Sequence, residues 1–391
     1  MIAVIGLGRV GLPLACLITN TGRKVIGIDI DQDKCDLINN GVSPYDDETY
    51  LSEMIAECGG TALVASSRYN AASYCTAYIV VVPVTLTPEN QPDFSALESA
   101  CRSVGGILCP DDLVVIETTV PVGTTETKVR GWLEDTSGLR LGDFYLAHSP
   151  ERIMSGIAIS RLLDFPKIVG GVDSASGLKA HHLYATFLPD VRLAPDSRHS
   201  EFSKIAEGCY RDANIALANE LYMTAEAYGI NYHTARALAN HDYCHLHLPG
   251  VGVGGHCIPV YPHFLMSDPD IPRPCLISSA RVLNDFMVEY WVQRLLVEID
   301  WDPDVSVCID GIGYRCDTGI ITNSQPIRLY HALKDNGFSV GVYDRFHSQE
   351  EVESLGLRWL PVDQADVVFN PFTLVVNHAE DSVDEAVDNR C

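Results

Sequence analysis

The sequence predicts an α/β protein in which two doubly wound lobes flank a helical middle. Three observations predict it. An apolar run over residues 2 to 6 enters Gly6-Leu-Gly8-Arg-Val-Gly11, the helical stretch Leu12 to Thr21 follows, and Gly22 is placed to end it. Residues from about Ser200 to Tyr243 carry apolar side chains at helical spacing, among them Phe202, Ile205, Cys209 and Ala213, with no strand signal between them. After Asp302-Pro303, the run Val305 to Ile309 enters Gly311-Ile-Gly313, and Ser339 to Asp344 repeats the ending of the first lobe's second strand. The expected architecture is two Rossmann-like doubly wound lobes joined by a helical central domain, with boundaries at 1–197, 198–301 and 302–391. A chain of 391 residues exceeds the roughly 250 to 300 residues of a single core, so several domains are expected.

In the first lobe, Lys24-Val-Ile-Gly-Ile ends at Asp29, roughly 20 positions after the glycines. Further strands are expected at Ala77 to Val82, Leu113 to Ile116, Phe144 to Ala147 and Ile168 to Gly170, with helix-length segments between most of them, which reads as a parallel sheet. Leu248 to Pro262 reads as a Gly/Pro-rich loop, and Leu276 to Ile299 is long enough for another major helix. The tail from Glu380 is acidic and is expected to fray.

The 27 basic and 52 acidic residues give a formal charge of -25, which repels nucleic acid and anionic membranes, so neither is an expected partner. No 18-residue uncharged apolar stretch is present, and the first apolar run leads into Gly6 without a basic n-region, so a cytoplasmic protein is expected. In that compartment the 13 cysteines, without CxxC pairs, read as mostly reduced and buried thiols, and no metal site is expected.

Four motifs carry chemistry. In the first, Gly6 permits the tight turn, Gly8 lets the backbone approach a pyrophosphate, and Gly11 allows the helix to pack closely on the strand. Asp29 can accept hydrogen bonds from both ribose hydroxyls and would repel a 2′-phosphate, which favours NAD over NADP. The second is Pro249-Gly-Val-Gly252-Val-Gly254-Gly255-His256-Cys257-Ile-Pro259, a loop that exposes backbone to a ligand. Cys257 there is either an inert core thiol or a thiolate nucleophile, and His256 either a spacer or a ligand contact. The third places Glu201, Lys204, Glu207, Arg211 and Asn214 on one helical face, ordinarily a solvated stripe with weak ion pairs. The fourth comprises Glu117-Thr118-Thr119-Val-Pro-Val-Gly123-Thr124 and His148-Ser149-Pro150-Glu151-Arg152, which follow buried strands and can face one crevice at their carboxyl ends.

Taken in order, these segments resemble the UDP-glucose/GDP-mannose dehydrogenase family, and most of all its UDP-N-acetylmannosamine dehydrogenase branch. The resemblance runs through Gly6-Leu-Gly-Arg-Val-Gly-Leu-Pro-Leu-Ala15, Asn39-Asn-Gly-Val-Ser-Pro44, Glu117 to Thr125, Ser149 to Arg152, Tyr210 to Glu220 and Gly252 to Val260. It implies oxidation of a nucleotide sugar's C6 alcohol to a carboxylate with two NAD, as in polysaccharide or glycoconjugate biosynthesis, by a homodimer formed through the central helices. Cys257 matches the family nucleophile, which passes through a thiohemiacetal and a thioester. Lys204 matches the lysine that stabilises the oxyanion or orients water, and Thr119 and Glu151 match residues near that water. The cofactor set implied is Gly6, Gly8, Arg9, Val10, Gly11, Asp29, Pro83, Thr85 and Thr119. The substrate set is Arg152, Arg211, Asn214, Gly252, Gly254, Gly255, His256 and Tyr261.

Three departures fall around the same chemistry. Tyr261 stands where the family has an aspartate, and a phenol with a pKa of about 10 cannot replace a carboxylate near neutrality. Gly208 stands where an asparagine is usual, and Thr322-Asn-Ser-Gln-Pro326 where Arg-Glu-Ser-Pro is usual, so an arginine expected at the substrate's phosphates is missing. Asn370 to Cys391 lacks a family ending. Two alternatives to complete oxidation stay open: an enzyme that stops at the aldehyde or passes the acyl group to another nucleophile, and a non-catalytic nucleotide-sugar-binding protein.

Overall fold

The computed structural model describes residues 1–378 apart from 46, 154, 155 and 273; the acidic tail lies outside the described residues. The chain forms two compact units, Met1–Ala206 and Glu207–Cys391.

In the first unit the chain runs β1 (Ile2–Ile5), α1 (Gly11–Thr19), β2 (Val25–Ile28), α2 (Gln32–Asn39), α3 (Leu51–Cys58), β3 (Leu63–Ser66) and β4 (Ala77–Val80). A small hairpin of β5 (Thr85–Leu86) and β6 (Pro92–Asp93) follows, then α4 (Ser95–Gly105), β7 (Leu113–Ile116), α5 (Arg130–Ser137), β8 (Tyr145–His148), α6 (Ala158–Asp164), β9 (Lys167–Gly171), α7 (Ser174–Tyr184) and β10 (Val191–Leu193). The main sheet has the order β10-β9-β8-β7-β4-β1-β2-β3. Its central strands β1, β4 and β7 are buried throughout, as the unbroken apolar runs require of strands covered on both faces. The expected all-parallel sheet is corrected at one edge, where β9 pairs antiparallel with β8, matching Ala147 with Gly171 and His148 with Gly170. Two glycines on β9 let neighbouring backbone pack closely against that edge. A Cβ at Gly170 would stand 2.1 Å from the Asp196 carbonyl oxygen, and one at Gly171 the same distance from the Gly177 nitrogen.

Helix α8 (Ser197–Ala227) runs from the first unit into the second, which continues with α9 (Tyr232–Ala239), α10 (Tyr261–Met266), α11 (Cys275–Glu298), β11 (Val307–Asp310), α12 (Gln325–Asp335), β12 (Val340–Tyr343), α13 (Gln349–Ser354), β13 (Val367–Asn370) and β14 (Val375–His378). The expected loop over Leu248 to Pro262 ends earlier, because α10 starts at Tyr261 with Pro262 in its first turn, where a missing N–H costs nothing. The second sheet, β12-β11-β13-β14, is parallel except for β14, which pairs antiparallel with β13. One apolar core joins α11 to this sheet: Met287, Trp291 and Leu295 pack with Ile309, Leu329 and Phe369, and the Trp291 and Phe369 rings lie 4.8 Å apart.

Candidate active site

The glycine turn after β1 is set by backbone contacts. The Gly6 N–H donates to the Ile28 carbonyl at 2.7 Å, at a φ of +95°. A Cβ on Gly11 would stand 1.9 Å from the Gly6 carbonyl oxygen, so only glycine lets α1 sit this close. Gly8 has nothing within 4 Å of its Cβ position, which is the open space a pyrophosphate needs above a helix N-terminus free of acidic residues. Buried Asp29 accepts the Leu7 N–H at 2.8 Å, the Asp31 N–H at 3.1 Å and the Lys34 ammonium at 3.1 Å. These residues fit a dinucleotide with a free ribose 2′-hydroxyl. Arg9 pairs with Asp47 at 2.6 Å and lies 4.9 Å above the Tyr45 ring, Val10 is half-buried, and Pro83 and Thr85 lie beyond β4, both exposed.

The second lobe repeats the turn. Gly311 N–H donates to the Tyr343 carbonyl at 2.7 Å, and Ile312 N–H to Asp344 at 2.8 Å, matching Gly6 and Leu7 bond for bond. The open space beside Gly8 has no counterpart there, however, because a Cβ built on Gly313 would stand 2.3 Å from the Thr318 carbonyl oxygen.

Strands β7 and β8 are parallel neighbours with Ile116 opposite His148, so the two loops after them lie side by side at the sheet's carboxyl edge. Glu117 does not face that edge: it is fully buried, 2.8 Å from the Lys167 ammonium, and accepts the Tyr184 hydroxyl at 2.5 Å. Thr119 is buried with a hydroxyl that has no hydrogen-bond partner among the described residues. Glu151, on the next loop, accepts the Ile153 N–H at 2.9 Å and lies 3.6 Å from the Lys204 ammonium; Arg152 is half-buried beside it.

The face of α8 that spacing alone would read as a solvated stripe is partly buried, as the resemblance implies for Lys204. Glu201 is fully buried and Lys204 nearly so, while Glu207 and Arg211 are exposed and the half-buried Asn214 donates its amide to the Tyr210 carbonyl at 2.7 Å. The five residues spread over more than a third of the helix circumference, and the core claims the first two. Burial pushes the Glu201 carboxyl up to about 7, against hydrogen bonds from Thr125 and Gly123 that hold it down.

In the second unit, Cys257 is half-buried and its carbonyl accepts the Val260 and Tyr261 N–H groups at 3.1 and 3.0 Å, opening the turn that becomes α10. His256 is exposed. The close approach that the sequence assigns to a ligand at the loop glycines is made by the chain's own atoms. A Cβ on Gly255 would meet the Tyr314 ring at 2.8 Å, one on Gly254 the Asn323 carbonyl at 2.7 Å, and one on Gly252 the Asn284 carbonyl at 2.8 Å. Thr322 and Asn323 clasp Gly255 from both sides, the Thr322 carbonyl accepting its N–H at 2.8 Å and the Asn323 amide donating to its carbonyl at 3.0 Å. The segment lacking the expected arginine thus holds the cysteine loop. Tyr261 is buried, with its ring turned onto Gly208 and 5.9 Å from the Phe264 ring.

Sequence reasoning missed Lys34 and the burial of Glu201, and it held His148 and Asn323 only as members of the segments His148–Arg152 and Thr322–Pro326, without the contacts they make. Only Lys34 had a usable signal, five residues after Asp29 in the first turn of a helix. Among the described residues no cluster of three or more His, Cys, Asp or Glu is gathered to hold a metal ion, and no helix is long and apolar enough to cross a membrane.

Residues 1–188 match the NAD binding domain of the UDP-glucose/GDP-mannose dehydrogenase family, and residues 198–285 its central domain. A UDP-N-acetyl-D-mannosamine dehydrogenase of Pyrococcus horikoshii is 33% identical over 351 residues, covering 88% of this chain and 83% of the relative. An NDP-N-acetyl-D-galactosaminuronic acid dehydrogenase of Ralstonia nicotianae is 32% identical over 345 residues, covering 85% and 79%. The solved structure of a UDP-D-ManNAc dehydrogenase from Pyrococcus horikoshii superposes with a TM-score of 0.86 at 33% identity, covering 95% of this chain and 88% of that one.

Proposed function

Because the chain belongs to the UDP-glucose/GDP-mannose dehydrogenase family, it is an NAD-dependent dehydrogenase acting on the CH–OH of a nucleotide sugar, and we propose that it oxidises the C6 alcohol of a UDP-sugar to the carboxylate with Cys257 as covalent nucleophile. NAD, when bound, supplies the hydride acceptor for each of two two-electron oxidations. In the first, the C6 hydroxyl gives its proton to water held by Glu151 and Thr119, and a C6 hydrogen leaves as hydride, giving the aldehyde. The Cys257 thiolate then adds to C6, and loss of the second hydride leaves a thioester. Water adds to that carbonyl, the C–S bond breaks, and the carboxylate leaves with the thiol regenerated. Lys204 stabilises the oxyanion of these steps. Domains at 1–197, 198–301 and 302–391 would then serve cofactor binding, the cysteine loop and nucleotide-sugar binding.

The observation that carries this reading is the Lys204–Glu151 pair at 3.6 Å beside the loop bearing the unpartnered Thr119 hydroxyl. The exposed apolar residues Phe202, Tyr210 and Leu217 on one side of α8 support docking of a second copy, to be read as twice the chain mass by light scattering. The test of the chemistry is intact-protein mass spectrometry after incubation with UDP-sugars and NAD, together with a count of NADH per sugar. Two NADH and a sugar-sized adduct lost in Cys257→Ala are expected. NADH production that survives undiminished in Cys257→Ala rejects the covalent route. The buried Tyr261, a phenol one turn from Cys257 in place of a carboxylate, favours one second reading, an enzyme that stops at the aldehyde, and its mark is a single NADH per sugar.

A further inference from the structure

The first turns of α8 are fastened to both loops that carry the proposed proton and water chemistry. Glu201 Oε2 accepts the Gly123 N–H at 2.5 Å, while Oε1 accepts the Thr125 N–H at 2.9 Å and the Thr125 hydroxyl at 2.6 Å. These three bonds hold the far end of the loop that bears Thr119. One residue earlier, Ser200 Oγ lies 3.0 Å from His148 Nδ1, and His148 Nε2 lies 3.1 Å from the Thr118 carbonyl. A carbonyl only accepts, so Nε2 carries the hydrogen that faces Thr118, while the Ser200 hydroxyl also reaches the His148 carbonyl at 3.1 Å; burial, which pushes the ring down to about 3, keeps the imidazole neutral. His148 thus ties the end of β8, three residues before Glu151, to Thr118, the neighbour of Thr119. Glu201, His148 and Ser200 are all fully buried, out of reach of a ligand arriving from solvent. A carboxyl placed there must be satisfied by its neighbours, and the three hydrogen bonds that satisfy Glu201 all come from one loop.

We propose that Glu201 is a positioning residue for the oxidation: through Gly123 and Thr125 it fixes the Thr119 loop relative to Lys204, one helical turn further along α8, while His148 fixes the Glu151 loop to the same frame. The assignment rests on the dehydrogenase reading for its effect on rate. Its structural half does not.

Glu201→Gln separates the two bonds. The amide oxygen can still accept from Thr125, but the amide N–H group then faces the Gly123 N–H, donor against donor, and that end of the loop is released. A displacement of about 1 Å in a reacting group costs roughly 100-fold, so kcat is expected to fall about 10- to 100-fold. KM for the nucleotide sugar and the dissociation constant of NAD are expected to change by less than about threefold, since the glycine turn and Asp29 are untouched. Amide exchange over residues 119–125 is expected to quicken about tenfold or more, with β1 and β4 unchanged. Thr125→Val removes only the hydroxyl bond and is expected to give a smaller change of the same kind, and it decides the matter if the glutamine variant does not fold. A folded variant with wild-type kcat, unaltered exchange over 119–125, or a loss confined to NAD binding overturns the assignment. If the wild-type protein itself forms no NADH from any nucleotide sugar, it is the dehydrogenase reading that fails, and the exchange measurement still judges the clamp.

Discussion

The ring of Tyr261 lies where a side chain on residue 208 would be: a Cβ built on Gly208 stands 2.5 Å from Tyr261 Cδ2 and 3.2 Å from its Cβ. The two positions, one on α8 and one at the start of α10, make a single packing unit. In sequence they are two separate departures from a family pattern. In space the large residue requires the small one.

That relationship gives a double-mutant cycle a definite sign. Gly208→Ala alone gains about 1 kcal/mol of helix propensity but overpacks against Tyr261 by roughly 1 to 3 kcal/mol, so it is expected to be neutral to destabilising. In a Tyr261→Ala background the ring is gone and the same change is expected to stabilise by about 1 kcal/mol. Urea unfolding of the four proteins measures the coupling. Additivity within about 0.3 kcal/mol would mean that the two residues do not share this space.

Asp29 binds Lys34 directly, which bears on cofactor choice. Asp29→Ser removes the charge that repels a 2′-phosphate and leaves a lysine beside the vacated position. The ratio of kcat/KM for NADP over NAD is expected to rise more than about tenfold, chiefly through loss with NAD. Steady-state kinetics with both cofactors reads it, and an unchanged ratio removes Asp29 from the ribose site.

His148 sets a stability limit on the acid side. Burial is the main cause that pushes its imidazole down to about 3 from 6.5, so the unfolded chain binds a proton there before the folded one does. Stability from the neutral ring is fully present above pH 6.5 and is lost as pH falls from there toward about 3, at a slope of at most about 1.4 kcal/mol per pH unit. Unfolding free energies between pH 7 and 4 should show this slope in wild type and a flatter one in His148→Gln, which keeps a donor without a titrating ring. Parallel slopes would show that another group controls acid unfolding.

What is legible in the sequence is local. Gly6, Gly8, Gly11 and Asp29 lie within one strand–helix–strand unit, where spacing dictates geometry, and the structure gives each glycine a separate physical reason. Spacing alone puts Glu201 on a solvated stripe, because it shows which residues share a helical face but not which face meets the core. The glycines near Cys257 are legible as a place of close approach. That Tyr314 and Asn323, some sixty residues later, make the approach is not, because no local pattern encodes a contact across that separation. The reversal of β9 is hidden for a related reason, since a buried strand looks the same in either direction.

Trp291 stacks on Phe369, and the core they share has no seam between the long helix and the strands that follow it. Severing the chain at residue 301 would therefore not yield a shorter enzyme minus a detachable module. It would strip α11 of its partners and leave Met287, Trp291 and Leu295 facing water, so the fragment is expected to aggregate, and everything from α11 onward is inherited or lost as one cooperative piece.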